Sequence, residues 1–234
     1  MTAVMPDTDQ LRSLAEKAGR ELEGAPALEI LAWADEHFGS TWCVTSSMED
    51  SVVPHLASRV RPGVDVVFLD TGYHFAETIG TRDAVAATLP VNLITVTPRQ
   101  TVAEQDASFG TRLYERNPDQ CCALRKVTPL RNALRDYRAW ASGLRRDEAV
   151  GRREVKVVEW DARRSMVKIN PIATWTQQDV DAYVTENGVL LNPLLFDGYG
   201  SIGCAPCTRR IKPGEDARAG RWAGMSKTEC GIHD

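Results

Sequence analysis

Three mainly apolar runs, 41–45 (TWCVT), 64–69 and 91–96, follow one another at spacings that leave room for a helix between each pair. Runs of this kind read as buried strands, and strands joined by helix-length segments imply a parallel sheet with right-handed crossovers. The flanking sequence agrees. A first helix starts at Asp7 or Thr8, carries Leu11, Leu14, Ala18 and Leu22 on one face and stops at Gly24. Pro26 suits the first turn of a second helix, with Leu28, Leu31, Ala32 and Phe38 inward and Gly39 at its end. Further helices are expected after 46–51, over 76–89, over 123–137 and over 176–188, where Thr176 and Asp179 resemble a capping box. Segments 138–143 and 155–160 read as additional strands. The expected class is α/β, a mainly parallel sheet with helices on both faces. Beyond Asn192 the periodicity fades, and seven glycines from Gly198 to Gly231 punctuate the chain.

The 234 residues are enough for one substantial α/β domain with an appended segment. With 43% hydrophobic and 26% charged residues the composition is that of a soluble globular protein. A net charge of −4 argues against non-specific nucleic-acid binding, and no apolar stretch reaches membrane-spanning length, so neither nucleic acid nor membrane is expected as a partner. Residues 1–24 alternate apolar with charged side chains and lack the apolar core of a signal peptide. The expected compartment is therefore the cytosol, where thiols stay reduced.

Two turns offer anion-binding chemistry. The first, Ser46-Ser47-Met48-Glu49-Asp50-Ser51, joins a strand to a helix, where backbone N–H groups and the helix dipole face a ligand beyond the carboxyl end of the strand. Ser46, Ser47, Asp50 and Ser51 are the candidate contacts; an ordinary helix cap is the plain alternative. The second strand ends in Asp70, Thr71 and Gly72, where Gly72 lets backbone approach a ligand and the other two supply polar contacts. A turn that needs Asp and Gly for geometry alone would look the same. Together the turns mark one rim of the sheet for a ligand of nucleotide size.

The six cysteines are sharper. Cys204-Ala205-Pro206-Cys207 is a C-x-x-C turn whose sulfurs reach one metal centre, and Cys121 and Cys122 supply a second, adjacent pair. Adjacent ligands are unusual at zinc and suit a larger cluster with separated irons, so a four-cysteine cluster ranks ahead of zinc, and zinc ahead of no metal. Cys43 lies inside an apolar strand and reads as packing. Cys230 stands alone near Lys227 and His233, which favour a thiolate, in a segment suited to a nucleophile that moves. An idle terminal cysteine is the equal alternative.

These residues resemble the iron–sulfur type of adenosine 5′-phosphosulfate reductase, in the sulfonucleotide reductase family. The likeness runs from about Trp42 onward. It rests on the 46–51 loop, 69–72, Cys121-Cys122-Ala123-Leu124-Arg125-Lys126, Gly143-Leu144-Arg145-Arg146, Lys168-Ile169-Asn170-Pro171, the C-x-x-C, Arg218, Arg221 and Glu229-Cys230-Gly231-Ile232-His233. The combination of double cysteine, later C-x-x-C and terminal Glu-Cys-Gly-Ile-His is highly specific. The resemblance implies an adenine nucleotide α-hydrolase-like fold and one [4Fe–4S] cluster on Cys121, Cys122, Cys204 and Cys207. It also implies Cys230 as nucleophile and thioredoxin or a similar dithiol protein as electron donor. The chain then divides into a nucleotide-binding part, 1–197, with the first cysteine pair, and a part, 198–234, with the second pair and a mobile tail, both within one structural domain. Residues 115–120 depart from the family pattern, which often has a histidine there, so no such role is carried over.

The expected chemistry is thiolate attack on a sulfuryl–phosphate anhydride, which needs surrounding cations. Arg125, Lys126, Arg145, Arg146, Arg218, Arg221 and His233 are the candidates, while Arg131, Arg135 and Arg138 fit an exposed helix side. Competing readings are a reductase for the 3′-phosphorylated nucleotide, an ATP-dependent sulfurtransferase and a zinc-stabilised binding module. The sulfurtransferase predicts a glycine-containing Ser-Gly-Gly-x-Asp-Ser loop, which 46–51 lacks. Monomer and homo-oligomer both stay open.

Overall fold

The computed structural model describes residues 7–225, 227 and 229–233. Its centre is a six-stranded sheet in the order β3-β2-β1-β4-β6-β5. The strands are β1 Trp42–Thr45, β2 Val64–Leu69, β3 Val91–Val96, β4 Ala139–Ala141, β5 Val158–Asp161 and β6 Met166–Ile169. All neighbours are parallel except β5, which runs antiparallel to β6 at one edge. The expected mainly parallel α/β architecture is what the chain adopts.

The apolar runs look continuous because both faces are covered. Val44, Val66, Phe68, Ala139, Ala141 and Ile169 enter one core with Leu11, Ala15 and Ala18 of α1 (Thr8–Glu21) and Ile30, Leu31 and Ala34 of α2 (Ala27–Phe38). Leu56 of α3 (Val52–Val60) and Val85 of α4 (Ala76–Thr88) join them. Cys43, Val67, Trp140 and Met166 enter a second core with Leu130 and Leu134 on the opposite face. Fully buried Cys43 is a packing residue, as expected, and burial pushes its pKa far up. Ala32, expected inward, is exposed; the inward stripe of α2 runs through Ala34 instead.

Past β3 come α5 (Val102–Phe109), α6 (Leu113–Arg116) and α7 (Pro118–Cys122). The helix expected over 123–137 is neither that long nor uniform. The double cysteine ends α7, a π-turn occupies Ala123–Val127, α8 covers Thr128–Ala133, and a 3₁₀ turn closes Leu134–Asp136. The last helix, α9 (Gln177–Asn187), has the expected Thr176–Asp179 capping box, with Gly188 left-handed at its end. Strand 138–143 contracts to three residues and 155–160 shifts to Val158–Asp161; β6 was not anticipated. Chain order reverses between β1 and β4. A crevice therefore opens beyond the carboxyl ends of those two strands, where open α/β sheets bind ligands.

Candidate active site

The loop after β1 is braced from behind by 190–192. Asn192 donates from Nδ2 to the Met48 carbonyl at 3.0 Å, and its backbone N–H donates to the Glu49 carbonyl at 3.0 Å. Asp50 bridges to Leu191, and the Ser51 hydroxyl donates to the Leu190 carbonyl at 3.0 Å. Met48 takes φ of 60°, a left-handed conformation usually given to glycine, and holds it with a fully buried side chain while its N–H donates to Ser46 Oγ at 3.2 Å. This tight turn is thus made without the glycines of ATP-binding loops. The Asp50 carboxylate accepts from the Val52 N–H at 2.9 Å at the head of α3; burial raises its pKa, and that hydrogen bond opposes the rise. Glu49 is likewise raised by burial and accepts from the Ile202 N–H at 2.7 Å, which ties the loop to the second cysteine segment.

Ser46, Ser47 and Asp50 line a cavity of about 210 Å³ at the switch point, together with Thr71 and His74 beyond β2 and Ser142 and Gly143 beyond β4. Lys126, Arg152, Arg218 and Arg221 supply its cations, and Glu229, Cys230, Ile232 and His233 close one side. A groove of about 930 Å³ adjoins it and shares Leu144, Arg152, Arg218, Arg221, Glu229 and His233 with the cavity. Ser51 does not line the cavity, because its hydroxyl is committed to Leu190.

The four expected cluster cysteines meet. Cys121 and Cys122 come from α7, Cys204 and Cys207 from the ends of a short 3₁₀ turn, and all four line one small gap with Tyr73, Tyr114 and Trp222. Burial, then the charges of the other three thiols, push Cys121 up to about 12; burial and Cys204 push Cys207 up to about 11. Crowded thiols of which Cys121, Cys122 and Cys207 are pushed up are the donor set that a cationic centre relieves. Among the described residues no group of three His, Cys, Asp or Glu is close enough to hold a single metal ion. Zinc, with Zn–S of about 2.3 Å, draws its sulfurs close together. Four thiols around one gap, two of them adjacent in sequence, suit a polynuclear centre better than a single zinc ion.

The turn beyond β2 serves this gap more than the cavity. Thr71 Oγ1 lies 3.3 Å from Cys204 Sγ, and Asp70 accepts from the Gly72 N–H at 2.9 Å and faces Arg82 at 3.8 Å. Gly72, at φ of 71°, makes room for Arg125: a Cβ there would lie 3.0 Å from its guanidinium. Arg125 was expected at the anion site. Instead it is buried, donates to the carbonyls of Thr71 and Gln100 and to Gln105 Oε1, and lies over the Tyr73 ring at 5.2 Å. Its neighbour Lys126 enters both the cavity and the four-thiol gap. The π-turn carries this divergence of two consecutive cations, a helix irregularity common at functional sites. Burial pulls the Lys126 pKa down, but Cys204, Cys230 and Cys122 outweigh it and the net shift is upward.

Other expected cations separate as well. Arg145 points to Gln177 at 2.7 Å and Glu148 at 3.6 Å, and Arg146 makes a two-point pair with Glu23 at 2.7 and 3.0 Å; neither lines the cavity. Arg221 does. It donates to Ser201 Oγ at 3.1 Å and lies over Trp222 at 4.6 Å, in space that only a glycine at 203 leaves, since a Cβ there would sit 2.6 Å from the guanidinium. Arg152 escaped sequence reading. It clasps Glu229 at 3.0 Å through both carboxylate oxygens and also pairs with Glu148, and the only sequence sign was its place in a basic stretch.

The segment carrying Cys230, expected as a mobile tail, is docked as a strap. Glu229 pairs with Arg152 and, at 3.1 Å, with Arg218; Lys227 pairs with Asp119; Arg164 donates to the Ile232 carbonyl at 2.7 Å. Ile232 packs on the second core, and His233 stacks on Trp140 with centroids 5.6 Å apart and planes within 6°. Burial first, then Lys168, Arg152, Arg164 and Arg218, push His233 well below its ordinary 6.5, so it is neutral at pH 7. His233 therefore lends Cys230 no positive charge, contrary to the sequence expectation; Lys126 is the cation that does.

Among known proteins, the family model for the phosphoadenosine phosphosulfate reductase domain matches residues 41–210. The chain is 69% identical over 235 residues to an adenosine 5′-phosphosulfate reductase of Streptomyces coelicolor, covering 100% of each. It is 56% identical over 234 residues to one from Mycolicibacterium smegmatis, covering 100% of this chain and 99% of that one. A crystal structure of phosphoadenylyl-sulfate reductase from Candida auris, in a phosphate complex, superposes with a TM-score of 0.72 at 27% identity, covering 89% of this chain and 99% of that one. With the matched span reaching from the start of β1 past the second cysteine pair, the chain belongs to the phosphoadenosine phosphosulfate reductase domain family.

Proposed function

We propose that this chain reduces adenosine 5′-phosphosulfate to sulfite and adenosine monophosphate during sulfate assimilation in the cytosol, with Cys230 as its catalytic residue. The observation that carries the reading is the meeting of Cys230, Lys126 and the β1 loop in one cavity at the switch point of the sheet. Full-length likeness to proteins named for the unphosphorylated nucleotide favours it over the 3′-phosphorylated one. No helix among the described residues is long and apolar enough to cross a membrane.

In this reading the Cys230 thiolate attacks the sulfuryl sulfur. A Cys230–sulfur bond forms, the bond from that sulfur to the bridging phosphate oxygen breaks, and adenosine monophosphate leaves. Lys126, Arg218 and Arg221 offset the negative charge that would otherwise repel the thiolate. The β1 loop, with Ser46 and Ser47, orients the phosphate, while 198–234 acts as the part of the domain that delivers the nucleophile. A thioredoxin-type dithiol then attacks Cys230 Sγ; the bond to the sulfo group breaks and sulfite departs. The donor's second thiol closes its disulfide and releases Cys230, so both electrons come from the dithiol. Cys121, Cys122, Cys204 and Cys207 are the residues that fit a [4Fe–4S] cluster, which when bound supplies a fixed charge centre and a cross-link between α7 and the second cysteine turn.

The deciding experiment is an anaerobic assay of both nucleotides with thioredoxin, following sulfite and the nucleotide product. Sulfite from adenosine 5′-phosphosulfate at much the higher kcat/KM supports the proposal. Turnover of the 3′-phosphorylated nucleotide alone, or of neither, overturns it.

A further inference from the structure

His74 stands just ahead of α4, and only one of its ring nitrogens is engaged. Nε2 lies 2.8 Å from the Leu69 carbonyl, which can only accept, so Nε2 carries the hydrogen. Burial first, and then Lys126 and Arg82, lower the His74 pKa from its ordinary 6.5 against the Leu69 carbonyl and Asp70, so the ring is neutral at pH 7. Nδ1 is then a bare acceptor, buried and with no hydrogen-bond partner among the described residues. The Phe68 ring packs against the imidazole with centroids 5.0 Å apart, so the ring is held from two sides. A buried acceptor left bare in a cavity wall is costly, and it marks a place where a donor is wanted.

The cavity that His74 lines has two unlike ends. Arg152, Arg218 and Arg221 stand where it meets the adjoining groove and line both. Val67, Leu69 and Leu130, like His74, line the cavity and not the groove. The anionic groups of a nucleotide belong with the guanidinium groups, and its flat base belongs with the aliphatic side chains. Adenine has a single N–H donor group, the 6-amino group. The ribose hydroxyls are the other donors, but they accept as well, and Asp50 and Ser142 of the same cavity suit them.

Building on the proposed nucleotide substrate, we infer that His74 is a specificity-determining residue whose Nδ1 accepts a hydrogen bond from the 6-amino group of adenine at the apolar end of the cavity. The bond from Nε2 to Leu69 fixes the tautomer and the ring orientation, so the acceptor is in place before the base arrives. A purine with oxygen at C6 sets lone pair against lone pair there, and the site rejects it because its own acceptor stays bare.

Calorimetric titration of the anaerobic holoprotein with adenosine monophosphate and with inosine monophosphate tests this. Wild type is expected to prefer adenosine monophosphate. His74→Gln sets an amide N–H where Nε2–H was, keeps the bond to Leu69 and leaves no acceptor where Nδ1 was. It is expected to cut the preference about ten-fold, through weaker binding of adenosine monophosphate. His74→Asn, whose amide oxygen falls where Nδ1 was, gives up the Leu69 bond and is expected to keep the preference. A purely structural role predicts instead that His74→Asn is the harmful change and that both nucleotides weaken alike. Wild type without a preference, His74→Gln with the wild-type preference, or an equal loss for both nucleotides overturns the inference. So does a His74→Gln protein that loses discrimination against 2′- or 3′-deoxyadenosine monophosphate instead, since Nδ1 then serves the ribose. Wild-type protein that binds neither adenosine nor inosine monophosphate overturns the proposed nucleotide reading itself, and this inference with it.

Discussion

Cys121, Cys122 and Cys204 are as inaccessible as core residues, at 7–8% exposure, whereas Cys230 is half-buried on a strap. The two neighbourhoods touch through Lys126, yet different forces hold them. The four-thiol gap is fixed by α7, by the π-turn, by Arg125 threaded under Thr71 and by backbone bonds from Ala205 to Tyr73 at 2.7 Å and from Trp222 to Cys207 at 2.9 Å. The strap is fixed by Glu229, Lys227 and the Ile232 carbonyl through charged partners, with Ile232 and His233 alone among its described residues packed on the second core or its Trp140 ring. Packed groups move only when a cavity is opened, at a cost of several kcal/mol, whereas partly exposed ion pairs exchange partners for about 1 kcal/mol or less. On the proposed reading, a centre that stays and a nucleophile that travels are thus built from the kinds of contact that suit each.

The largest expected effects separate the two cysteine groups. Cys230→Ser is expected to lower sulfite production to background while leaving the protein brown and able to bind nucleotide. Wild type given adenosine 5′-phosphosulfate without reductant should gain the mass of one sulfo group, which thioredoxin removes. An active Cys230→Ser, or an adduct on Cys43, breaks the contrast. On the other side, Cys121→Ser or Cys204→Ser should lose iron and acid-labile sulfide, each near four per chain in wild type as a [4Fe–4S] site requires. Stoichiometric zinc without sulfide in wild type would mean that the gap has been read wrongly.

The cations sharpen the comparison at the next level down. Lys126→Ala and Arg221→Ala should each reduce kcat/KM by about 2–5 kcal/mol, the loss expected when one partner of a desolvated charged contact is removed. Arg125→Ala should act on the other neighbourhood: it removes the donor to Gln105 Oε1 and to the Thr71 carbonyl beneath the thiols, so iron retention and Tm should fall before nucleotide affinity does. Arg146→Ala, which breaks a partly exposed pair with Glu23 and a bond to the Val155 carbonyl, should lower stability by about 1–2 kcal/mol and leave KM alone. If Arg125 and Arg221 variants lose affinity alike, the two sites are not separate.

How much of this could be read beforehand follows from the range of the interactions. Strands β1 and β2 were legible because their apolar residues meet partners on one face or the other, as Val66 and Val67 do in turn, and edge strand β3 because Val91, Leu93 and Val96 still pack on the two cores. Strand β6 was not, because Lys168 interrupts a four-residue run; it is buried only through Glu159 at 3.0 Å and the Trp140 ring at 5.5 Å, partners set by the fold. The cysteine pairs declared themselves by local spacing. Arg152 could not, since its partner Glu229 is 77 residues away. Arg125 and Lys126 are adjacent and alike in charge, and only the π-turn sends one beneath the thiols and the other into the cavity. Arg145 and Arg146 carried the right chemistry in a motif, but Gln177 and Glu23, distant in sequence, draw them away.

The smallest expected effect concerns the anchor of the strap. His233 is buried against Trp140 and faces Lys168, Arg152, Arg164 and Arg218, and burial with those charges holds its pKa well below the ordinary 6.5. Above about pH 6.5 the imidazole is neutral in both folded and unfolded chains and adds no pH dependence. As pH falls below that value the unfolded chain takes up a proton that the folded one refuses, so the docked state loses stability towards acid. Between pH 7.5 and pH 5.5 this loss is at most about 1.4 kcal/mol, or about 3–6 °C in Tm for a domain of this size. His233→Phe keeps a ring for stacking on Trp140 and removes the titration, so the gap in Tm between variant and wild type should shift in the variant's favour by that amount from pH 7.5 to pH 5.5. Alkylation of Cys230 in ligand-free wild type should quicken over the same interval relative to the variant, because the strap's anchor is what the proton disfavours. A gap that stays constant with pH would mean that His233 is charged in place or already solvated. The strap would then rest on Glu229, Lys227 and Ile232, and the contrast between a packed four-thiol gap and an ion-paired strap would be sharper still.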